Sequence, residues 1–234
     1  MSRAALYDRT GGPEVLYVGE VADVRPRPGQ VLLRVRAAGL NPFDSKMRAG
    51  FIPSEARFPR RIGGDVAGTV EAVGDGAEYD DGTPVEVGDE VFGRAGGSVA
   101  ERVVGSASEL AKRPEALPAE VAGGMWVAGL TAVSCLATIP IGAEDTVLVG
   151  AAAGGVGLVA AQLAVASGAR VIGTAGARNH ELLRSVGVEP VTYGEGLADR
   201  VAALGEVTAV IDAHGREALD TGVRLGVPAG RMVA

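Results

Sequence analysis

The chain has one cysteine, two histidines and no excess of basic residues, and these scarcities set its first limits. A single thiol, Cys135, cannot close an internal disulfide, which fits a reducing compartment. Acidic side chains outnumber basic ones, 29 to 22, and the net charge of −7 argues against a polyanionic partner. Affinity for nucleic acid rests mainly on neutralised phosphates. The first residues, MSRAALYDRTGG, contain no apolar core of signal-peptide length. Uncharged runs do occur at 121–143 and 146–169, but Pro140 and several glycines interrupt them, and small residues dominate. Neither reads as a membrane span. Thirty-six glycines without a three-residue period exclude collagen and favour turns and close backbone approaches. With 47% apolar and 22% charged residues the composition is globular. The expectation is a soluble, cytoplasmic protein with a small-molecule partner, no nucleic acid and no membrane.

Residues 1–118 read as strand-rich. VLLRVRAAGLN, DVAGTVEAVG, GDEVFGR and SVAERVVG are short strands separated by turn-rich connectors, which predicts a small barrel or sandwich. After KRPEALP the pattern changes. Residues 119–138 predict one helix rich in alanine and glycine, and strands and helices then alternate. TVLVG, RVIGTA, EPVTY and VTAVIDA read as strands, and GRMVA as the start of a fifth. GVGLVAAQLAVASG, RNHELLRSVG and LADRVAALG read as the helices between them. Such alternation predicts an α/β domain over 119–234 with a parallel sheet covered by helices.

The turn after the first of these strands holds the most informative motif. A dinucleotide fingerprint places glycine first, third and sixth in a six-residue turn between strand and helix. Here the six are Ala152, Ala153, Gly154, Gly155, Val156 and Gly157, with alanine at the first place. Gly154 admits a close pyrophosphate, Gly157 allows tight helix packing, and the helix N-terminus offers unpaired N–H groups to the anion. A glycine-rich packing turn is the alternative, and the strand–turn–helix–strand context weighs against it.

NAD would call for an acidic side chain at the end of the second strand, near Thr174 and Ala175, yet no Asp or Glu occurs between Gly157 and Glu181. Arg178 follows instead. An arginine can hold a 2′-phosphate that a carboxylate would repel, so NADPH is the expected cofactor. Arg178 otherwise reads as a solvated charge at a helix start, Asn179 as an N-cap, and Tyr193 as strand packing.

GLNPFDSKMRAG, GGDVAGTVEAVG, VGDEVFGR, GLTAV, VLVGAAAGGVG and VIGTAGARNHELLRSVG occur in this order. Together they resemble the quinone oxidoreductase branch of the medium-chain dehydrogenase/reductase superfamily. The resemblance implies a GroES-like β-barrel domain followed by a Rossmann doubly wound parallel-sheet domain. It also implies NADPH between the two, and reduction of quinones or α,β-unsaturated carbonyls. It places Asn41 by the nicotinamide and substrate, and Gly154, Gly155, Val156 and Gly157 at the pyrophosphate. Arg178 and Tyr193 go near the 2′-phosphate, and Thr131 on the segment entering the second domain near the cofactor. Lys46 is a candidate for electrostatic help at the substrate, or else an exposed lysine. Thr174, Asn179 and Ala152 complete the expected cofactor set.

Zinc-dependent relatives carry a cysteine where this chain has Asn41, and a histidine in the segment matching Gly63, Gly64 and Asp65. Their later cysteine falls around Val127. His180 and His214 lie in the nucleotide domain, so no set of three or four ligands converges and no metal is expected. Without a Lewis acid, reduction of a conjugated carbonyl is easier than alcohol oxidation. Tyrosines stand in some relatives where this chain has Lys46 and Ile52, which moves weight from quinones to enones.

Family chains usually continue several dozen residues past the fifth strand, and that part covers the substrate pocket and supplies the sheet edge used for dimerisation. This chain therefore reads as C-terminally short, and a homodimer is expected only with that part present. Three functions remain open: an NADPH-dependent quinone or enone reductase, an enoyl reductase of polyketide or fatty-acyl intermediates, and a catalytically silent NADPH-binding or regulatory protein.

Overall fold

A computed structural model describes residues 1–22 and 24–234. The chain divides into two compact units, Met1–Val127 and Ala128–Ala234, where the sequence put the boundary at 118/119. In chain order the first unit holds β1 (Ser2–Tyr7), β2 (Leu16–Val21), β3 (Gln30–Gly39), α1 (Pro42–Ala49), β4 (Arg60–Arg61) and β5 (Asp65–Val73). It continues with β6 (Glu90–Arg94), β7 (Arg102–Ser106), β8 (Leu110–Lys112) and α2 (Ala119–Ala122). The strands form two antiparallel sheets, in the orders β2-β1-β4 and β7-β3-β5-β6-β8. Alternate residues turn inward, so Val31 and Leu33 of β3, Val66 and Val70 of β5, Val91 and Val103 make one core. Each such side chain contributes about 1.5–3 kcal/mol through burial. The pairing of β3 with β5 sets Gly39 opposite Asp65, which fixes what lies beside Asn41.

Three elements of this unit are illegible in the sequence. The β1–β2 hairpin alternates too weakly in polarity to stand out. Helix α1 is only two turns long, held by Pro42 at its start and stopped by Gly50 at φ 84°. The single helix expected over 119–138 is instead α2 followed by α3 (Trp126–Thr138). The break falls at Gly123 and Gly124, because the backbone there runs against β3: a Cβ on Gly123 would sit 2.9 Å from the Ala37 carbonyl oxygen. Packing, not helix propensity, decides that segment.

The second unit contains most of α3, then β9 (Thr146–Gly150), α4 (Gly155–Ala166), β10 (Arg170–Thr174), α5 (His180–Ser185) and β11 (Glu189–Val191). It ends with α6 (Leu197–Ala202), β12 (Ala209–Asp212), α7 (Glu217–Arg224) and β13 (Met232–Val233). All five strands are parallel, in the order β11-β10-β9-β12-β13. Val147 and Val149 pack with Ala160, Ala161 and Ala164 of α4 on one face, while Leu148 packs with Leu197, Val201 and Ala218 on the other. A strand covered on both faces has no place for charge, which accounts for the uncharged run. Among the described residues no helix is long and apolar enough to cross a membrane. The sequence reading ran from the fourth strand to the fifth without α7, and that omission matters for the site.

Candidate functional site

Strands β10 and β12 flank β9 on opposite sides: the chain runs from β9 to β10 and β11 on one side, then crosses back to β12 on the other. The turn after β9 therefore sits at the switch point of the sheet, where open α/β sheets bind ligands. Gly150 ends the strand against the Asp212 carboxylate; a Cβ there would lie 2.7 Å from its Oδ1. Ala151 then adopts a left-handed φ of 51°, a conformation that costs an alanine about 1–2 kcal/mol. Two bonds to β10 hold it: the Ala151 N–H donates to Thr174 Oγ1 at 2.9 Å, and the Ala152 N–H to the Thr174 carbonyl at 2.9 Å. Gly157 is required by packing, because a Cβ would sit 2.3 Å from the Ala151 carbonyl oxygen. Gly154 is exposed and caps α4, whose first-turn N–H groups have no intrahelical partner and carry the positive end of the helix dipole.

In front of this turn lies a cavity of about 770 Å³. Gly154, Thr174, Arg178, Asn179 and Tyr193, all expected from the sequence, line it together. Ala152 is buried beneath the turn, and Gly155, Val156 and Gly157 belong to the first turn of α4. Thr131 is exposed on α3 and is not part of the wall. Three polar wall residues escaped the sequence reading: Asp212, His214 and Glu217. Asp212 is buried at the end of β12. Its Oδ1 accepts the His214 N–H at 3.0 Å, and its Oδ2 accepts the N–H groups of Ala218 and Leu219 at 3.0 and 3.2 Å. It thus caps α7. The spacing of Ala218, Leu219 and Gly222, with Gly226 beyond, was the available signal for that helix. Glu217 accepts the Gly194 N–H at 2.7 Å. His180 lies at the start of α5, its Nε2 3.2 Å from the Ala175 carbonyl oxygen.

Asn41 and Lys46 belong to the first unit. Asn41 caps α1, and its own N–H donates to Asp44 Oδ2 at 2.7 Å. Its side-chain Nδ2 donates to Asp65 Oδ1 at 3.1 Å, while Asp65 Oδ2 accepts the Val127 N–H at 3.2 Å. Asp44 Oδ1 accepts the Gly63 N–H at 3.2 Å, so GLNPFD and GGDVAG are knitted together. Asp65 is fully buried. Burial pushes its carboxyl above its ordinary pKa, and the bonds from Val127 and Asn41 pull it part-way back. Lys46 is exposed on α1.

A bare turn at a helix N-terminus, opening on a cavity with a cation and no carboxylate at the end of β10, fits a dinucleotide. The alcohol dehydrogenase GroES-like domain model matches residues 27–132, and the zinc-binding dehydrogenase model matches residues 155–234. Over its whole length the chain is 34% identical to the quinone oxidoreductase of Pseudomonas aeruginosa, of which it covers 73%. The chain belongs to the quinone oxidoreductase branch of the medium-chain dehydrogenase/reductase superfamily. It is also 36% identical over 180 residues to human quinone oxidoreductase, an alignment covering 75% of this chain and 53% of the relative. The chain thus spans about half the length of some curated relatives. A further match, 37% identical over 212 residues, is the spectinabilin polyketide synthase system protein NorB of Streptomyces orinoci, with 88% of this chain and 9% of that protein covered. The solved structure of Escherichia coli quinone oxidoreductase complexed with NADPH aligns at TM-score 0.80 and 30% identity, over 93% of this chain and 68% of that one.

The name of the second family model raises zinc, and the residues present do not fit it. Among the described residues no group of three His, Cys, Asp or Glu stands close enough to hold a metal. Cys135 is buried within the core of the second unit, where burial raises its thiol pKa. Asn41 and Val127 instead both donate hydrogen bonds to the Asp65 carboxylate.

Proposed function

We propose that the chain is the coenzyme- and substrate-binding part of a metal-independent reductase that uses NADPH and delivers hydride to a quinone or an α,β-unsaturated carbonyl. The observation that carries this reading is the end of β10. Thr174 to Asn179 line the cavity with one cation, Arg178, and no carboxylate. The two carboxylates elsewhere in the wall are spent on main-chain donors, Asp212 on three N–H groups and Glu217 on one. The end of β10 offers no carboxylate to grip the paired ribose hydroxyls of NADH, while a guanidinium suits a 2′-phosphate. Tyr193, with its hydroxyl toward Gly176, adds a donor and a flat surface beside it.

When bound, the reduced nicotinamide supplies the hydride. The chain's own contribution is binding and polarisation. The α4 N-terminus and Gly154 would hold the pyrophosphate. Asn41, its amide turned by the Asp65 carboxylate, retains a second N–H to polarise the substrate oxygen. Lys46 would add positive charge as that oxygen becomes anionic. Thr131, Gly155, Val156, Asn179 and Thr174 complete the proposed coenzyme contacts. The match to a polyketide synthase supports a second reading, an enoyl reductase acting on carrier-bound acyl chains.

NADPH oxidation followed by absorbance, with 1,4-benzoquinone, a simple enone and an enoyl thioester in parallel, tests the proposal. Turnover on the first two supports it, and turnover on the thioester alone supports the second reading. Saturable NADPH binding with no turnover on any of them would overturn both and leave a silent binder.

A further inference from the structure

Tyr193 is 57% exposed, and among the described residues its hydroxyl makes no hydrogen bond, so its place at the cavity depends on its main chain. That main chain is unusually well held. In the loop Thr192–Gly196, between β11 and α6, Gly194 and Gly196 take left-handed φ values of 96° and 77°. The resulting coil turns several carbonyls toward one side chain, Arg200 of α6. Arg200 Nε and Nη2 donate to the Thr192 carbonyl at 3.1 and 2.9 Å, Nη2 also to Gly194 at 3.0 Å, and Nη1 to Glu195 at 2.7 Å. All three nitrogens of the guanidinium are used, a fork that lysine cannot reproduce. From the opposite side Glu217 Oε1 accepts the Gly194 N–H. The peptides on either side of Tyr193 are therefore gripped from both α6 and α7. Glu217 is otherwise out of place, a carboxylate in the wall of a cavity that would take an anion.

We propose that Arg200 and Glu217 are positioning residues: they fix the Tyr193 loop and so set how strongly the chain prefers the phosphorylated coenzyme. This rests on the NADPH reading above. On this account Glu217 is kept for its acceptor oxygen, and the repulsion from its charge is tolerated.

The test is calorimetry on the full chain with NADPH and with NADH. Arg200→Ala and Glu217→Ala should each weaken NADPH about tenfold, the scale of one or two lost hydrogen bonds, and leave NADH nearly unchanged. Glu217→Gln keeps an acceptor and should hold NADPH at least as tightly as the natural chain. Placed in a Tyr193→Ala background, Arg200→Ala should lose its effect on the preference. A purely electrostatic Glu217 gives the opposite sign, with both Glu217→Ala and Glu217→Gln tightening NADPH, and that result overturns the proposal. So does an unchanged NADPH-to-NADH ratio in Arg200→Ala and Glu217→Ala. Should Arg200→Ala not fold, the two variants of the exposed Glu217 still decide the matter. An unsubstituted chain with no preference for NADPH refutes the coenzyme reading itself, before any variant is compared, and the proposal falls with it.

Discussion

Among the described residues each unit buries one carboxylate at the end of a strand beside candidate site residues, and the two are used differently. Asp65 opens β5 and is 0% exposed; Asp212 closes β12 and is 4% exposed. Asp65 divides its oxygens between a side-chain amide, Asn41, and a main-chain N–H, Val127. Asp212 gives both to main-chain donors and caps a helix. The first arrangement orients a side-chain amide, that of Asn41. The second shapes a wall and withdraws a negative charge from it. Burial alone does not mark a reactive carboxylate; its partners determine its role.

Four substitutions would break or sharpen that contrast. Asp212→Ala removes the acceptor of three main-chain N–H donors, that of Ala218 buried, and uncaps the start of α7, and should cost about 3 kcal/mol of stability in denaturant unfolding. A loss below about 1 kcal/mol would mean that the cap is dispensable. Arg178→Ala should weaken NADPH by about 2 kcal/mol, roughly thirtyfold, in a binding titration while NADH is spared; equal losses would contradict the phosphate role. Asp65→Asn addresses the sign of a pH effect. Because burial raises the folded pKa of Asp65 above its unfolded value, the stability it contributes is full below the unfolded pKa and is lost as pH rises through the folded one. Unfolding curves from acid to neutral pH should show this decline in the natural chain and not in Asp65→Asn. An identical pH profile for both would rule it out. The smallest effect belongs to a surface carboxylate. Glu189 takes a two-pronged ion pair from Arg170 across β11 and β10, with side chains 45% and 39% exposed. Glu189→Gln should cost about 0.5 kcal/mol and become neutral in high salt.

The sequence displayed the β9–α4 turn plainly, because a β-branched strand, a glycine cluster and an apolar helix all changed period at one place. Arg178 and the missing acid at the end of β10 were equally readable, since both are local. Asp212 was not. Its bonds reach residues six and seven positions ahead, and without α7 it reads as the polar end of a strand. The partnership of Asn41 and Asp65 spans 24 residues and exists only because β3 and β5 pair in one register. Nothing in either segment alone reveals it. The clamp of Arg200 on the Tyr193 loop was hidden likewise, since its acceptors are backbone carbonyls and any sequence supplies those. What remained illegible was contact chemistry across elements, while local geometry and the order of strands and helices were largely in view.

The central claim is that the bare turn after β9 receives a pyrophosphate while Arg178 receives the 2′-phosphate of the same molecule. A crystal structure of the chain grown with NADPH tests it most directly. The account predicts density for the pyrophosphate against Gly154 and the first turn of α4, with the 2′-phosphate between Arg178 and Tyr193. A nucleotide bound elsewhere, or bound here with its 2′-phosphate turned away from Arg178, would contradict it.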